Sequence, residues 1–212
     1  MESNGNAIVF SPTFSALNGL TTWAMCFWIN QHVYISSTYT NGVIITGGTY
    51  GNLQFNLAGG SGTAYFTFPG ASAQQFLNIS GWANGKLLGG WYFAAITCTS
   101  NAATAYWKSY SAVSLTSGGT GTAAALPTST SGVTIETTDA EFSIHDVMFF
   151  SQALTSANFL SIASTPANAS SIAGSNLKFW APLNGSNPET DSSGNGYSCS
   201  TMDPWVTLLS VS

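Results

Sequence analysis

The chain has 212 residues, of which three are basic and eight are acidic, and none is arginine. A typical soluble domain is about a quarter charged, whereas this chain is 5% charged and 44% hydrophobic. Its 13% aromatic content excludes an intrinsically disordered chain, which would be poor in aromatic residues. No apolar run approaches the roughly 18 residues needed to cross a bilayer. The net charge of −5 argues against nucleic acid and anionic membranes as partners.

The surface that this composition predicts consists mainly of uncharged Ser, Thr, Asn, Gln and Gly residues. Surface charge keeps protein molecules apart in solution, so a surface with so few charges does little to repel its neighbours. We therefore expect a specific contact with copies of the chain itself or with a scaffold protein, burying at least about 1,000 Å². The expected participants are the neutral segment 111–131 and the terminal segments 1–6 and 205–212.

Two features bear on the compartment in which the chain is made. Residues 1–6 contain neither the basic region nor the apolar core of a secretory signal peptide, so we expect synthesis in the cytoplasm without export by that route. The three cysteines are an odd number, which argues against a complete disulfide framework. Cys26 and Cys98 lie in apolar runs and are expected to be buried free thiols, with a bridge between them as the alternative.

The pattern of apolar residues predicts β-strands through most of the chain. Some runs alternate polar and apolar side chains, as in a strand with one face buried. Others are apolar at nearly every position, which is typical of strands covered on both faces. Short strands separated by clusters of Gly, Ser and Asn predict a sandwich or jelly roll. The strands are predicted at residues 23–30, 43–46, 52–57, 63–68, 91–99, 103–110 and 142–150.

The strand at residues 103–110 is followed by a long segment of different composition. Within the strand, Tyr106, Lys108 and Tyr110 fall on one side, because alternate residues of a strand share a face. The following residues 111–131 are small and polar and include three glycines. They are predicted to form a long surface loop.

One stretch predicts a helix. Thr155 provides an N-terminal cap, and Phe159 and Ile162 follow at helical spacing. The predicted helix therefore covers residues 155–162. No shift in composition divides the chain into two parts, so a single domain over residues 1–212 is expected.

Five stretches carry motifs that occur together in one family. Residues 144–155 begin Ile-His-Asp-Val and end Gln-Ala-Leu-Thr; they resemble an Ile-Asp-Asp-Val strand leading through Asn-Arg-Ala-Leu-Ser into a short helix. Residues 25–30 are similar to a strand ending in Trp-Val, and residues 90–97 resemble a Trp-Tyr-His-Val-Ala-Val-Thr strand. Residues 179–185 and 191–196 look like Trp-Pro-Leu-Asn and Asp-Ser-Ser-Gly-Asn-Gly motifs. In combination these motifs resemble the laminin-G-like, concanavalin A-like jelly-roll family.

The resemblance implies an all-β fold, namely an antiparallel two-sheet jelly-roll sandwich of the concanavalin A-like type with one short helix. It also implies that residues 1–212 are a single laminin-G-like domain. The sequence departs from the family at positions that are usually charged, where it has His145, Met148, Gln152 and Asn158. These departures fit a domain with more covered surface than usual.

Some relatives of this fold are glycosidases, which place acidic residues on one strand facing a cleft. The nearest candidates here are Glu136, Asp139 and Glu141, but Glu136 is out of phase with the other two, so a solvated loop entering a strand is the favoured interpretation. Residues 175–178 match Ser-x-x-Lys without its companion motifs, and no Gly-x-Ser-x-Gly elbow occurs. We therefore predict that the chain is not an enzyme. No cofactor is required on this interpretation.

A structural calcium ion is a further prediction, because many similar domains hold one at the rim of the sandwich. Calcium requires six to eight oxygen ligands, and Asp191 and Asn195 could contribute two of them. The same residues also have ideal turn chemistry, since Asp and Asn bond to nearby backbone and Gly accepts positive φ. The sequence therefore allows either a turn or a calcium site at Asp191 and Asn195, and it favours the turn.

Glycan binding would use exposed aromatic rings beside neutral hydrogen-bonding groups. Trp82, flanked by glycines and followed by Asn84, is the best candidate, and Trp107 and Tyr110 are weaker ones. The alternative for Trp82 is that it closes the end of the sandwich or lies at a subunit contact, where Trp is common.

Two functions follow from these observations. The first is a virion structural accessory protein, such as a capsid decoration or a tail- or fibre-associated protein, located on the virion surface and contacting itself or a capsid or tail scaffold. It is suggested by the missing signal peptide and the near absence of charge, and it is compatible with glycan adhesion. The second is an extracellular, lectin-like carbohydrate-binding module that is not tied to a virion. Fold alone does not choose between them.

Overall fold

The computed structural model describes residues 6–10, 15–31, 40–46, 53–57, 63–69, 74–83, 90–126, 132–137, 142–183 and 190–202. The described residues form two antiparallel β-sheets and two short α-helices. The strands are β1 (Asn6–Phe10), β2 (Trp23–Gln31), β3 (Thr40–Thr46), β4 (Leu53–Leu57), β5 (Thr63–Pro69), β6 (Gln74–Ala83), β7 (Tyr92–Thr99), β8 (Ala102–Ser109), β9 (Thr116–Thr122), β10 (Gly132–Thr137), β11 (Phe142–Phe150), β12 (Leu177–Ala181) and β13 (Cys199–Met202); the helices are α1 (Ser156–Ser164) and α2 (Asn168–Ala173).

The two sheets have a regular antiparallel topology. The seven-stranded sheet has the order β13-β1-β10-β3-β4-β5-β6, and the six-stranded sheet has the order β12-β11-β2-β7-β8-β9. The predicted all-β, two-sheet jelly-roll sandwich is therefore confirmed.

Strand β2 shows why its sequence is apolar at nearly every position. Trp23, Met25, Phe27 and Ile29 pack into the main core between the sheets. Cys26, Trp28 and the other even-numbered apolar residues pack into a second core on the outer face of the six-stranded sheet. Phe27 makes an edge-to-face contact with Phe55 of the opposite sheet, with ring centroids 4.9 Å apart. Both faces of β2 are thus covered, as predicted for such a run.

The two helices cover part of this outer face. Helix α1 begins after Thr155, whose Oγ1 accepts a hydrogen bond from the Asn158 backbone N–H while the Asn158 side chain accepts one from the Thr155 N–H. This capping box confirms the predicted helix start. Phe159 and Ile162 are buried against the sheet. Neither described helix is long and apolar enough to cross a membrane.

The prediction of a single helix was wrong, because α2 follows α1 after a short turn. The residue at its N-cap, Ala167, makes no side-chain hydrogen bond to the helix, and its buried residues are Ala169 and Ala173. These small residues at i and i+4 allow close packing but provide no strong apolar periodicity in the sequence.

The prediction that residues 111–131 form a loop was also wrong in part, because they contain strand β9. This strand closes the lateral edge of the sandwich against β6 of the opposite sheet. A Cβ atom added to Gly118 would lie 2.9 Å from Ile79 Cγ2, and one added to Gly121 would lie 3.2 Å from Phe68 Cζ. Glycine lets the two edges approach, so a composition typical of loops here serves close backbone packing.

We expect Gly118→Ala to lower the free energy of unfolding by about 1–3 kcal/mol, because the added methyl group overpacks the contact with buried Ile79. In a strand without such a contact, Gly→Ala usually stabilises by restricting the unfolded chain. Urea denaturation followed by circular dichroism measures the difference, with Thr120→Ala at an exposed position of the same strand as the control. A variant more stable than the parent chain would contradict the predicted contact.

The three cysteines are free, and Cys26 and Cys98 are the buried free thiols that were expected. Cys98 packs in the main core and Cys26 in the outer core, so the sheet itself separates them. The alternative bridge between them is therefore not formed. Burial raises the pKa of the Cys26 thiol well above its ordinary value, and the negative charge of Asp146 raises it further. Both effects keep this thiol protonated and unreactive.

Candidate ligand-binding site

The part of the outer face that lies beyond the helices carries a group of aromatic and ionisable side chains. The strand register sets them in a row across the sheet. His145 of β11 pairs with Trp28 of β2, Trp28 pairs with Phe93 of β7, and Phe93 pairs with Lys108 of β8. Directly paired residues of antiparallel strands share a face, so four strands contribute one side chain each to the row.

Trp28 is the centre of this row. Its ring is stacked against the His145 ring with centroids 6.0 Å apart, and it meets the Phe93 ring edge-to-face at 5.4 Å. The Tyr110 ring lies at 5.8 Å. Only 3% of the Trp28 residue surface is exposed, so its indole is a buried support for more exposed rings.

Lys108 contributes an ammonium group that is already engaged in contacts within the protein. Its Nζ atom lies 5.1 Å from the centroid of the Trp28 ring and donates a hydrogen bond to the Tyr110 backbone carbonyl at 3.3 Å. The residue is 6% exposed, and desolvation lowers the pKa of its ammonium group. A cation–π contact and a carbonyl partly replace the water that Lys108 has lost, which leaves this charge poorly placed to bind an anionic ligand.

His145 and Asp146 form an ion-pair geometry that an ordinary strand would forbid. The pairing of β11 with β2 shifts between His145 and Met148, and Asp146 has a positive φ of 52°. At this bulge the Asp146 Oδ2 lies 2.8 Å from His145 Nδ1. Asp146 Oδ1 accepts a hydrogen bond of 2.8 Å from Trp180 Nε1. A carboxylate oxygen accepts in this contact, so the proton of the hydrogen bond lies on His145 Nδ1.

A second row lies next to the first, towards one end of the sheet. Asn30 follows Trp28 on the same face of β2, and its Oδ1 is buried without a hydrogen-bond partner among the described residues. The Trp91 ring meets the His145 ring edge-to-face at 4.6 Å. The Tyr110 backbone N–H donates to the Trp91 carbonyl at 2.8 Å, and the Tyr110 residue is 75% exposed.

We call Trp28, Trp91, Lys108, Tyr110 and His145 the outer aromatic cluster. It combines the buried Trp28 ring, the partly buried Trp91 and His145 rings and the exposed Tyr110 ring, and its Lys108 ammonium group is already engaged by Trp28 and Tyr110. A surface of this kind is suited to stacking an apolar face of a ligand and to hydrogen bonding with its polar groups.

The structure separates the residues predicted to bind glycans. Tyr110 belongs to the outer aromatic cluster. Trp107 packs on the opposite face of the sheet, against the main core, with its ring centroid 6.2 Å from that of Tyr92. The backbone of Trp82 lies in β6, but its side chain and Asn84 lie outside the described parts. The sequence did not predict a place in the site for Asn30, Trp28, Trp91, His145, Asp146 and Trp180.

The predicted calcium residues lie in a turn along strand β12. Asp191 Oδ1 accepts hydrogen bonds from the backbone N–H groups of Trp180 and Ser193, both at 2.9 Å. The Asn195 amide donates to the carbonyls of Leu177 and Lys178. This is the turn chemistry expected from the sequence. A calcium ion held by Asp191 and Asn195 stays a prediction, although the described residues contain no group of three His, Cys, Asp or Glu side chains suited to a metal.

The structure describes only some of the residues considered as catalytic candidates. Glu136 lies in β10, and its side chain is not described; Asp139 and Glu141 lie outside the described residues. In the Ser-x-x-Lys match, Lys178 Nζ donates to the backbone carbonyl of Ser175 at 2.7 Å. The lysine is thus engaged by the main chain rather than by a serine hydroxyl.

No protein-family model and no curated protein matches the chain. Several solved structures share its fold. A native heptameric SAP-like pentraxin from Limulus polyphemus has a TM-score of 0.51 and 13% identity, over 74% of this chain and 75% of its own. The structure described under "Cell entry of botulinum neurotoxin type C is dependent upon interaction with two ganglioside molecules" has a TM-score of 0.51 and 12% identity, over 68% and 36%. The enzymatically active domain of bacteriophage CBA120 tailspike protein 2 has a TM-score of 0.54 and 13% identity, over 82% and 28%.

At these identities the likeness shows the jelly-roll fold and nothing finer. The chain spans about a third of the toxin and tailspike chains that it matches. One of these neighbours is described by its interaction with gangliosides and another as an enzymatically active domain. The fold is therefore compatible with ligand binding and with catalysis. The laminin-G-like resemblance agrees with this fold, and the function has to be argued from the site.

Proposed function

We propose that the chain is a non-enzymatic virion accessory protein, a capsid decoration or a tail- or fibre-associated protein, that adheres to surface glycans. The observation that carries the adhesive part is the outer aromatic cluster. Tyr110 presents an exposed ring that packs on the buried indole of Trp28. Exposed large aromatic residues with rigid support are common anchors of recognition surfaces.

The same cluster supports a binding role over a catalytic one. His145 and Asp146 have the geometry of a base and the residue that orients it. A nucleophilic mechanism also needs a hydroxyl or thiol within hydrogen-bond reach of that base. In the described structure the neighbours of the imidazole are the indoles of Trp28 and Trp91, and the Cys26 thiol is buried with a raised pKa. This arrangement favours ligand binding without turnover.

The virion part of the proposal is supported by composition. A chain with three basic and eight acidic residues is suited to permanent contact with copies of itself or with a capsid or tail scaffold, because charged residues are depleted at interface cores. The fold likeness to a bacteriophage tailspike domain is compatible with this role. The proposed location is the virion surface.

The virion role predicts that the chain is a stoichiometric component of particles. Density-gradient-purified particles of the virus that encodes it should contain the chain at a fixed ratio to the major capsid or tail protein, and washing with high salt should not remove it. Deleting residues 205–212, which lie outside the described residues, should lower this ratio more than it lowers the melting temperature. Absence of the chain from purified particles would overturn the virion role.

A second candidate is an extracellular lectin-like module that is not tied to a virion, and the outer aromatic cluster favours it equally. Sedimentation velocity separates the two functions. A stable monomer at high concentration that binds glycans but no particle would establish the lectin-like module.

Release of reducing sugars from a polysaccharide panel, measured with the intact chain, would contradict the non-enzymatic part of both candidates.

A further inference from the structure

The outer aromatic cluster borders an unsatisfied hydrogen-bond acceptor. Asn30 Oδ1 is buried and has no partner among the described residues, and it lies on the same sheet face as Trp28 because the two residues are two positions apart in β2. The pairing of Ile29 with Tyr92 brings the next residue pair, Asn30 and Trp91, side by side. We infer that Asn30, Trp91 and Tyr110 form a subsite for one uncharged sugar ring, a neutral hexose or N-acetylhexosamine. This inference rests on the proposed glycan adhesion.

The Asn30 carbonyl indicates what the ligand must offer. A buried polar atom costs free energy unless it makes a hydrogen bond, and no described residue of the chain supplies one to Asn30 Oδ1. An acceptor of this kind calls for a donor from outside the described residues, and a bound ligand can supply one. A sugar hydroxyl or the N–H of an N-acetyl group is a donor of the required kind. Binding would thus satisfy an acceptor that folding leaves unpaired.

The aromatic rings indicate where the sugar lies. Tyr110 is exposed, yet its backbone is fixed on both sides, because its N–H donates to the Trp91 carbonyl and its own carbonyl accepts from Lys108 Nζ. Its ring also packs on Trp28. An exposed ring that is already held in place loses little conformational freedom when a ligand stacks on it. The C–H face of a pyranose ring fits such a platform.

The charges indicate that the sugar is neutral. Recognition of a carboxylate usually employs a bidentate arginine or an accessible lysine. The chain contains no arginine, and Lys108 is buried against Trp28 and Tyr110. A sialic acid or a uronic acid would therefore find no free cation among the described residues of this site.

The first test uses matched pairs of immobilised oligosaccharides that differ only in a terminal sialic acid, and the intact chain as the probe. We expect binding to the neutral member and at least about tenfold weaker binding to the sialylated one. Tyr110→Ala should weaken neutral-glycan binding at least about tenfold, whereas Tyr110→Phe should retain it, because stacking depends on the ring. Ser170→Ala, at an exposed position of α2, is the control and should bind as the parent chain does.

The second test separates binding from folding at Asn30. Asn30→Leu keeps the branching of the side chain and removes the unpaired acceptor. We expect its melting temperature to equal or exceed that of the parent chain, while glycan binding falls at least about tenfold. If leucine packs poorly at this position, Asn30→Ala replaces it, because the smaller alanine side chain fits without displacing its neighbours. It should show the same loss of glycan binding. A large loss of stability with unchanged binding would overturn the role of Asn30.

The glycan-binding results separate failure of the subsite from failure of glycan adhesion as a whole. Neutral-glycan binding that survives both the Asn30 and the Tyr110 substitutions would leave glycan adhesion standing and overturn this subsite. A preference for sialylated glycans would overturn the neutral class. Failure to bind any glycan would overturn the subsite together with the adhesive role, while the particle association of the chain would be judged separately by its occupancy on purified virions.

Discussion

Trp28→Ala is expected to lower the free energy of unfolding by about 3–5 kcal/mol, the range observed when large aromatic residues are removed from cores. The indole lies under Tyr110 and against His145 and Phe93, so its loss leaves a cavity in the middle of the outer aromatic cluster. The loss also removes the aromatic partner of the Lys108 ammonium group. Urea denaturation followed by far-ultraviolet circular dichroism measures the change.

Tyr110→Ala is the matched control, because Tyr110 touches the same indole but is largely exposed. Its removal should cost less than about 1 kcal/mol. Both variants should lose glycan binding, Trp28→Ala through collapse of the platform and Tyr110→Ala through loss of the stacking surface. If Trp28→Ala were as stable as the parent chain, the packing described for the cluster would be wrong.

The fold was largely predictable because its central strands carry a strong signal. Strands β2 and β7 and residues 147–150 of β11 are covered on both faces, so these stretches are apolar almost throughout. The helix α1 was predictable because Thr155 is a capping residue, and Phe159 and Ile162 are large enough to mark the buried side. Local chemistry and tertiary packing agree in these segments.

The two elements that the sequence did not predict depend on packing alone. Helix α2 buries Ala169 and Ala173, which are too small to produce a periodic apolar pattern. Strand β9 contains Gly118, Gly119 and Gly121, a composition that predicts a loop when it is considered locally. It is a strand because the β6 edge lies so close that side chains at Gly118 and Gly121 would crowd Ile79 and Phe68. Neither requirement is visible without the opposite element.

The site was hidden for a different reason. Alternation along a strand sends adjacent residues to opposite faces, so His145 and Asp146 would not be expected to meet. The bulge and the positive φ at Asp146 bring them together. The assembly of Trp28, Trp91 and Tyr110 depends on strand register, which a single sequence does not specify at this distance. Of the predicted glycan-binding residues, Tyr110 lies in the cluster because it continues the outward side of β8.

The turn around Asp191 protects the edge of the six-stranded sheet. An edge strand exposes unpaired backbone groups that can recruit another chain. On β12, the Trp180 N–H donates to Asp191 Oδ1, the Trp180 carbonyl accepts from the Ser192 N–H, and the carbonyls of Leu177 and Lys178 accept from the Asn195 amide. The residues considered as calcium ligands therefore act as a substitute for a neighbouring strand.

Asp191→Ala should for this reason lower the free energy of unfolding by about 2–3 kcal/mol, since it removes charge-assisted hydrogen bonds from Trp180, Ser193 N–H and Ser193 Oγ. It should also raise the tendency to aggregate, because the β12 edge becomes available for strand pairing. Asp191→Asn, which keeps one acceptor oxygen, should lose less. Denaturation in the presence of calcium and of a chelator completes the test. Hydrogen bonding alone predicts equal losses in both, whereas a loss confined to the calcium-containing sample would show that a bound ion, rather than the turn, stabilises this edge.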